Sequence, residues 1–151
     1  MIVRGNGQLT EWSMVVEPVR AIKYTASERE RERLGLLAGE MVYRASRTLA
    51  LAERSVFEEI SLPAALFPGL TSPVPSIGDL AQAFALQLGE AVEFISVAMA
   101  PAWVATALDV AEGAPVLRVD TVVHLHEGRP AAWRTIYSTD WGRFATLKAT
   151  L

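Results

Sequence analysis

The stretch "LGLLAGEMVYRASR", Leu34 to Arg47, returns later as "LDVAEGAPVLRVDT", Leu108 to Thr121. Leu34 recurs as Leu108, Leu36 as Val110, Gly39 as Gly113, Val42 as Val116 and Arg44 as Arg118, each at the same step of 74 residues (113 − 39). In 151 residues such a repeat leaves room for one domain built from two similar halves. Each copy reads as a short helix, a glycine-bearing turn, a strand, a turn and a second strand. Two such units, separated by a capped helix and one more strand, predict an α+β domain with a mostly antiparallel sheet flanked by short helices. A pocket is expected where the halves meet.

The rest of the chain fits around the repeat. "MIVRGNGQLT" is polar and glycine-bearing and reads as a loose arm. "EWSMVVEPV" alternates in part and reads as an edge strand closed by Pro18. In "SERERERLGL", Ser27 with Glu30 makes a capping box, and the helix should end before Gly39. The following run splits into two strands joined near Ala52–Arg54. Alternation puts Tyr43, Ala45, Arg47, Leu49 and Leu51 on one face of the first, and Val56, Glu58, Ile60 and Leu62 on one face of the second. "ALFPGLTSPVP" is an irregular connection. "SIGDLAQAFALQLG" predicts the longest helix, capped by Ser76, with Asp79 at the capping-box position and Gly89 as its stop. "AVEFISVAMA" is a strand, Pro101 opens a short helix through Leu108, and strands follow over Val116 to Leu125 and Ala131 to Tyr137 around the turn "HEGRP". The tail "DWGRFATLKATL" fits no single element.

Bulk properties exclude several classes. A formal net charge of −3 argues against gripping nucleic acid by bulk attraction. With no cysteine, disulfides and thiolate metal sites are impossible. No leader pattern stands at the start, and no apolar run reaches membrane-spanning length. A soluble, cytoplasmic single domain is expected.

In order, "LGLLAGEMVYRASR", "SVFEEISLPAALFPGL", "SIGDLAQAFALQLGEAVEF", "ALDVAEGAPVLRVDT" and "EGRPAAW" resemble the UTRA domain, the effector-binding half of HutC-type regulators in the GntR family. The resemblance runs from about Ala26 to about Phe144. It implies the chorismate lyase-like fold and accounts for the repeat, since that domain consists of two similar halves. It divides the chain into an N-terminal arm and edge strand over 1–25 and a UTRA-like ligand-binding domain over 26–151. Full-length relatives carry a winged helix-turn-helix that binds DNA. This chain has no room for one, so the polypeptide itself is not expected to bind DNA. The resemblance further implies a homodimer and a small anionic metabolite as effector.

Candidate site residues follow. Arg47 stands mid-strand among apolar neighbours, and a guanidinium is a planar fork suited to carboxylate or phosphate. Related domains place an Arg-x-Arg pair here; in this chain the second position is Leu49. Arg47 either holds an anionic effector or pairs with Glu58. Glu58 matches a glutamate that accepts hydrogen bonds from the effector, or it neutralises Arg47, while Glu59 should face the other way. Ser76 and Ile77 open a helix whose N-terminus takes the effector's anionic end in the family, or Ser76 is an ordinary cap. Ala132 replaces a glutamate common among relatives. Around it, parity puts Trp133 and Tyr137 on one face and Arg134 on the other; an aromatic here lines the pocket or packs the core. With Leu49 and Ala132 replacing polar residues, a carboxylated or aromatic small molecule suits the cavity better than a sugar phosphate.

Other features carry less. His124 and His126 share a strand face but lack an evident third ligand, so no metal site is assigned, and no cofactor is implied. The "ERERER" run reads as a solvated helix face with i, i+3 pairs. Two alternatives to an effector-binding module stand: a chorismate lyase-like enzyme, for which no nucleophile–base pair is visible, and a dimerisation scaffold with a filled cavity.

Overall fold

In a computed structural model that describes residues 2–5, 20–51, 54–70, 74 and 76–139, the repeat becomes two copies of one unit. The chain begins with strand β1 (Ile2–Gly5). The first unit comprises β2 (Ile22–Thr25), α1 (Glu28–Leu34), β3 (Met41–Leu51) and β4 (Arg54–Pro63). A turn of 3-10 helix (Ala64–Leu66) and helix α2 (Ile77–Ala83) lead to the second unit: β5 (Leu88–Met99), α3 (Ala102–Leu108), β6 (Pro115–Leu125) and β7 (Pro130–Ser138). All pairings are antiparallel in one seven-stranded sheet of order β1-β5-β6-β7-β4-β3-β2. The architecture is the α+β class expected.

Backbone bonds reproduce the 74-residue step. Ala26 N–H donates to the Glu40 carbonyl at 2.9 Å, and Ala100 N–H to that of Ala114 at 2.8 Å. Leu36 bonds back to Arg31 and Val110 to Ala105, both at 3.0 Å. The caps of α1 and α3, Gly35 and Asp109, are both left-handed. Because β4 pairs with β7 at the junction, a pseudo-two-fold axis passes between Glu59 and Thr135, which lie opposite each other. Twins in β4 and β7 are 76 residues apart (135 − 59) because the turn before β7 is two residues longer.

Helices cover both sides of the sheet. α2 and the segment before it bury Phe67, Leu70, Val74, Ile77 and Leu80 against Tyr43, Ile60, Leu62, Val123 and Ala132. On the opposite side, α1 closes over Ala26, Leu34 and Val42, and α3 over Val104, Ala105, Val116 and Tyr137. These are below the α2 face and the α1/α3 face.

Three expectations need correction. The N-terminal arm contains β1, which adds to the sheet edge by pairing Ile2 with Phe94 through Gly5 with Ala91; a backbone ladder needs no apolar pattern to form. Strand β2, which the sequence pattern does not assign, is only four residues long and has four exposed side chains. The long helix stops at Ala83: Ala85 has a left-handed φ of 54°, and Leu86 N–H bonds back to the Ala81 carbonyl at 2.8 Å. Ser76 does cap it, accepting from the Asp79 N–H. Gly89 therefore lies inside β5, where an added Cβ would sit 2.9 Å from the His126 Cα, so the glycine permits a close strand approach rather than ending a helix. The segments 11–19 and 140–151, read as an edge strand and an unassigned tail, lie outside the described residues.

Candidate functional site

On the α2 face, strand pairing sets Arg47 opposite Glu58 and places Arg134 one strand further on, opposite Ile60. Alternation aims all three side chains to the same side of the sheet. Glu58 is the hub. Its Oε1 accepts from Arg47 Nε at 2.7 Å, and its Oε2 accepts from Arg134 Nε. Arg47 also donates Nη1 to the Val74 carbonyl at 2.6 Å, tying the cluster to the segment that enters α2. Glu58 is 1 % exposed, Arg134 3 % and Arg47 9 %.

Two guanidinium groups thus converge on one carboxylate under a protein roof. Taking them out of water is costly, and good geometry offsets the cost only while every partner stays in place. Burial pushes the Arg134 guanidinium below its ordinary pKa, with Arg47 adding to that effect, while Glu58 opposes it. Arg134 remains charged at physiological pH because an arginine starts far above it.

Ser76 and Ile77 lie two and three residues beyond Val74. The Ser76 hydroxyl accepts from the Asp79 N–H at 3.1 Å, which is ordinary capping within its own helix. Ile77 is buried in the core between α2 and the sheet. Both follow the segment that Arg47 holds through the Val74 carbonyl.

Trp133 and Tyr137 do not join it. They face the α1/α3 side, as Thr135 between them does. Trp133 packs against the core beneath α1 and donates Nε1 to Asp120 at 3.1 Å. Tyr137 packs beneath α3, near Phe57 with ring centroids 6.4 Å apart. As ligand contacts of the Arg47 face both are set aside: one sheet separates them from it.

Sequence reasoning also missed a second buried charge. Glu30, inside the run expected to be solvated, is 3 % exposed. It completes the capping box with Ser27, takes a two-point pair from Arg44 and accepts from the Ser61 hydroxyl at 2.7 Å. Burial by itself would raise the Glu30 carboxyl, but the hydrogen bonds from Arg44, Ser27 and Ser61 hold it down at about 2. The recurring Arg44 was the available signal, since a strand arginine facing a helix needs a partner. His124 Nδ1 lies 3.2 Å from the Glu90 carbonyl, and among the described residues no group of three His, Cys, Asp or Glu could hold a metal ion. No helix among them is long and apolar enough to cross a membrane.

Comparisons place the chain in a family. The UTRA domain family matches residues 16–140. The ligand-binding domain of a GntR-family regulator from Bordetella bronchiseptica superposes with a TM-score of 0.73 at 24% identity, covering 93% of this chain and 86% of that one. The effector domain of PhnF from Mycobacterium smegmatis gives 0.70 at 20% identity, covering 93% and 83%. YydK of Bacillus subtilis, described as a possible transcriptional regulator, gives 0.72 at 17% identity; the match covers 82% of this chain but only 57% of YydK. No curated protein matches the chain. The fold is the chorismate lyase-like one of these GntR-family effector domains. With the family match spanning most of its length, the chain belongs to the UTRA domain family.

Proposed function

We propose that this domain binds a small carboxylate-bearing metabolite at the Arg47–Glu58–Arg134 cluster. On this reading it serves as the cytoplasmic effector-binding and dimerisation module of a transcriptional regulator whose DNA contacts come from another domain. The observation that carries the reading is the convergence of two guanidinium forks on one carboxylate beneath the α2 segment. An incoming carboxylate would compete with Glu58 for donors already oriented for that chemistry, with Ser76 and Ile77 at its border. Because Val74 is tied to Arg47, a guest there would be felt by the α2 segment, which is what a switch requires: different affinity in two arrangements.

Support for a binder rather than a lyase comes from the relatives, which are described as regulators and as ligand-binding or effector domains. The test is a thermal-shift screen across carboxylates, phosphates and sugars. A ligand at a hundred times its Kd stabilises by roughly 2.7 kcal/mol. Carboxylates should shift the unfolding temperature, and Arg47→Gln should abolish the shift; a folded sample that responds to no compound refutes the proposal. Sedimentation of the free domain tests the two-fold assembly.

A further inference from the structure

The α1/α3 face holds an open cleft of about 570 Å³, within the range of small-molecule sites. It lies on the opposite side of the sheet from Arg47. Its floor is β3 and β4, with Ser46, Ser61 and Glu59; Phe57 and Trp103 form one wall, and Ile22 and Tyr24 the other. Trp103, Ile22 and Tyr24 are 60 %, 54 % and 42 % exposed, so among the described residues large apolar groups stand around an unfilled space.

The pseudo-symmetry shows that this space is particular to one half. At the twin positions of Ser61, Ser46 and Phe57 the second unit carries Tyr137, Asp120 and Trp133. There Tyr137 fills the groove as core, and Asp120 is tied up by Arg118, Trp133 and Thr135. The same frame is thus packed shut in one unit and left open by two serines in the other.

Charge selects the guest. Three charged residues line the cleft: Arg20, Arg44 and Glu59. Arg44 is neutralised by the two-point pair with Glu30 and rests on Tyr24, 4.7 Å from its ring centroid. Arg20 is exposed to solvent. Glu59 lies half-buried among the apolar walls, its Oε1 accepting from Trp103 Nε1 at 2.8 Å. A carboxylate held among apolar walls attracts an ammonium by charge, while the walls take the apolar body that carries it.

We infer that this cleft is a second ligand site, for an organic amine whose apolar body lies between Trp103, Phe57 and Ile22 and whose ammonium pairs with Glu59. It is opposite in charge preference to the Arg47 face and independent of what binds there. The probe is 2-phenylethylamine, with phenylacetate and 2-phenylethanol as matched anion and neutral. The readout is the Trp103 indole N–H resonance, identified by its loss in Trp103→Phe.

The amine should move that resonance saturably, at least about tenfold more tightly than either control. Glu59→Gln, whose amide oxygen can still accept from Trp103, should reduce the amine to the level of the alcohol. Ser46→Trp, placed at an exposed position, should plug the cleft and abolish saturation while leaving the unfolding temperature in place. No saturation by the amine up to about 10 mM, equal binding of phenylacetate, or unchanged binding in Glu59→Gln would each overturn the assignment.

Discussion

Between β3 and β4 the first unit sets Arg44 beside Ser61; between β6 and β7 the second sets Arg118 beside Tyr137. The two arginines are twins, but their partners come from different places. Arg44 reaches Glu30 on the helix above it, whereas Arg118 reaches Asp120, two residues along its own strand. The twin of Glu30 is Val104 (104 − 30 = 74), a fully buried apolar residue. Turns and ladder registers are therefore shared because backbone bonds fix them, while the side chains carried on that frame were free to diverge, buried ones included. At the axis a charged twin pair has to diverge, whereas the apolar twins Ile60 and Ile136 stay identical. Glu58 and Arg134 are themselves twins (134 − 58 = 76) and contact each other, so identical residues there would have brought like charges together.

The largest test of this comparison removes the charge at the axis. Glu58→Ala leaves Arg47 and Arg134 buried without their shared carboxylate and should cost about 3–5 kcal/mol in urea unfolding. The double variant Glu58→Leu with Arg134→Leu should recover part of that loss, because a pair of apolar residues demands no counter-charge. If Glu58→Ala costs less than about 1 kcal/mol, the cluster is not the buried hub described.

A smaller effect separates the helices. Glu30→Val gives α1 the residue that α3 carries at Val104, and should cost on the order of 2 kcal/mol at neutral pH by losing the Arg44 pair and half of the capping box. Since Glu30 lies at about 2 in the folded protein against an ordinary 4.5, its contribution is complete above pH 4.5 and fades as the pH falls towards 2. The stability gap between the native protein and Glu30→Val should therefore narrow across that window. A gap independent of pH would show that Glu30 acts through packing alone.

How much could be read beforehand follows the same division. The repeat, the Ser27 box, the β3–β4 junction and the two strands of the second copy were legible because each rests on local backbone chemistry. So was the pairing of Arg47 with Glu58, one of the two alternatives that the sequence offered for that arginine. Parity also separated Arg134 from Trp133 and Tyr137, and of the two alternatives left open for the aromatics the structure shows core packing. Strand β1 and the early stop of α2 were illegible for another reason, and the burial of Glu30 was signalled only by Arg44. Each depends on a partner distant in the chain: Phe94 for Ile2, Leu125 for Leu88, and Arg44 and Ser61 for Glu30.

The finest test exchanges the helix caps. Gly35 has a φ of 64° and Asp109 of 55°, so both units end their first helix in the left-handed region. An aspartate tolerates that conformation better than most residues, yet still with strain that glycine avoids. Asp109→Gly should relieve the strain but enlarge the unfolded ensemble, for a net gain of about 0.5 kcal/mol. Gly35→Asp should lose a similar amount; even an added Cβ would meet nothing closer than Pro130 Cγ at 4.0 Å, so contact adds no penalty. Opposite signs of comparable size in urea unfolding would mark the two caps as one device used twice. Equal signs would mean that the shared frame stops at the turn and does not extend to the helix ends.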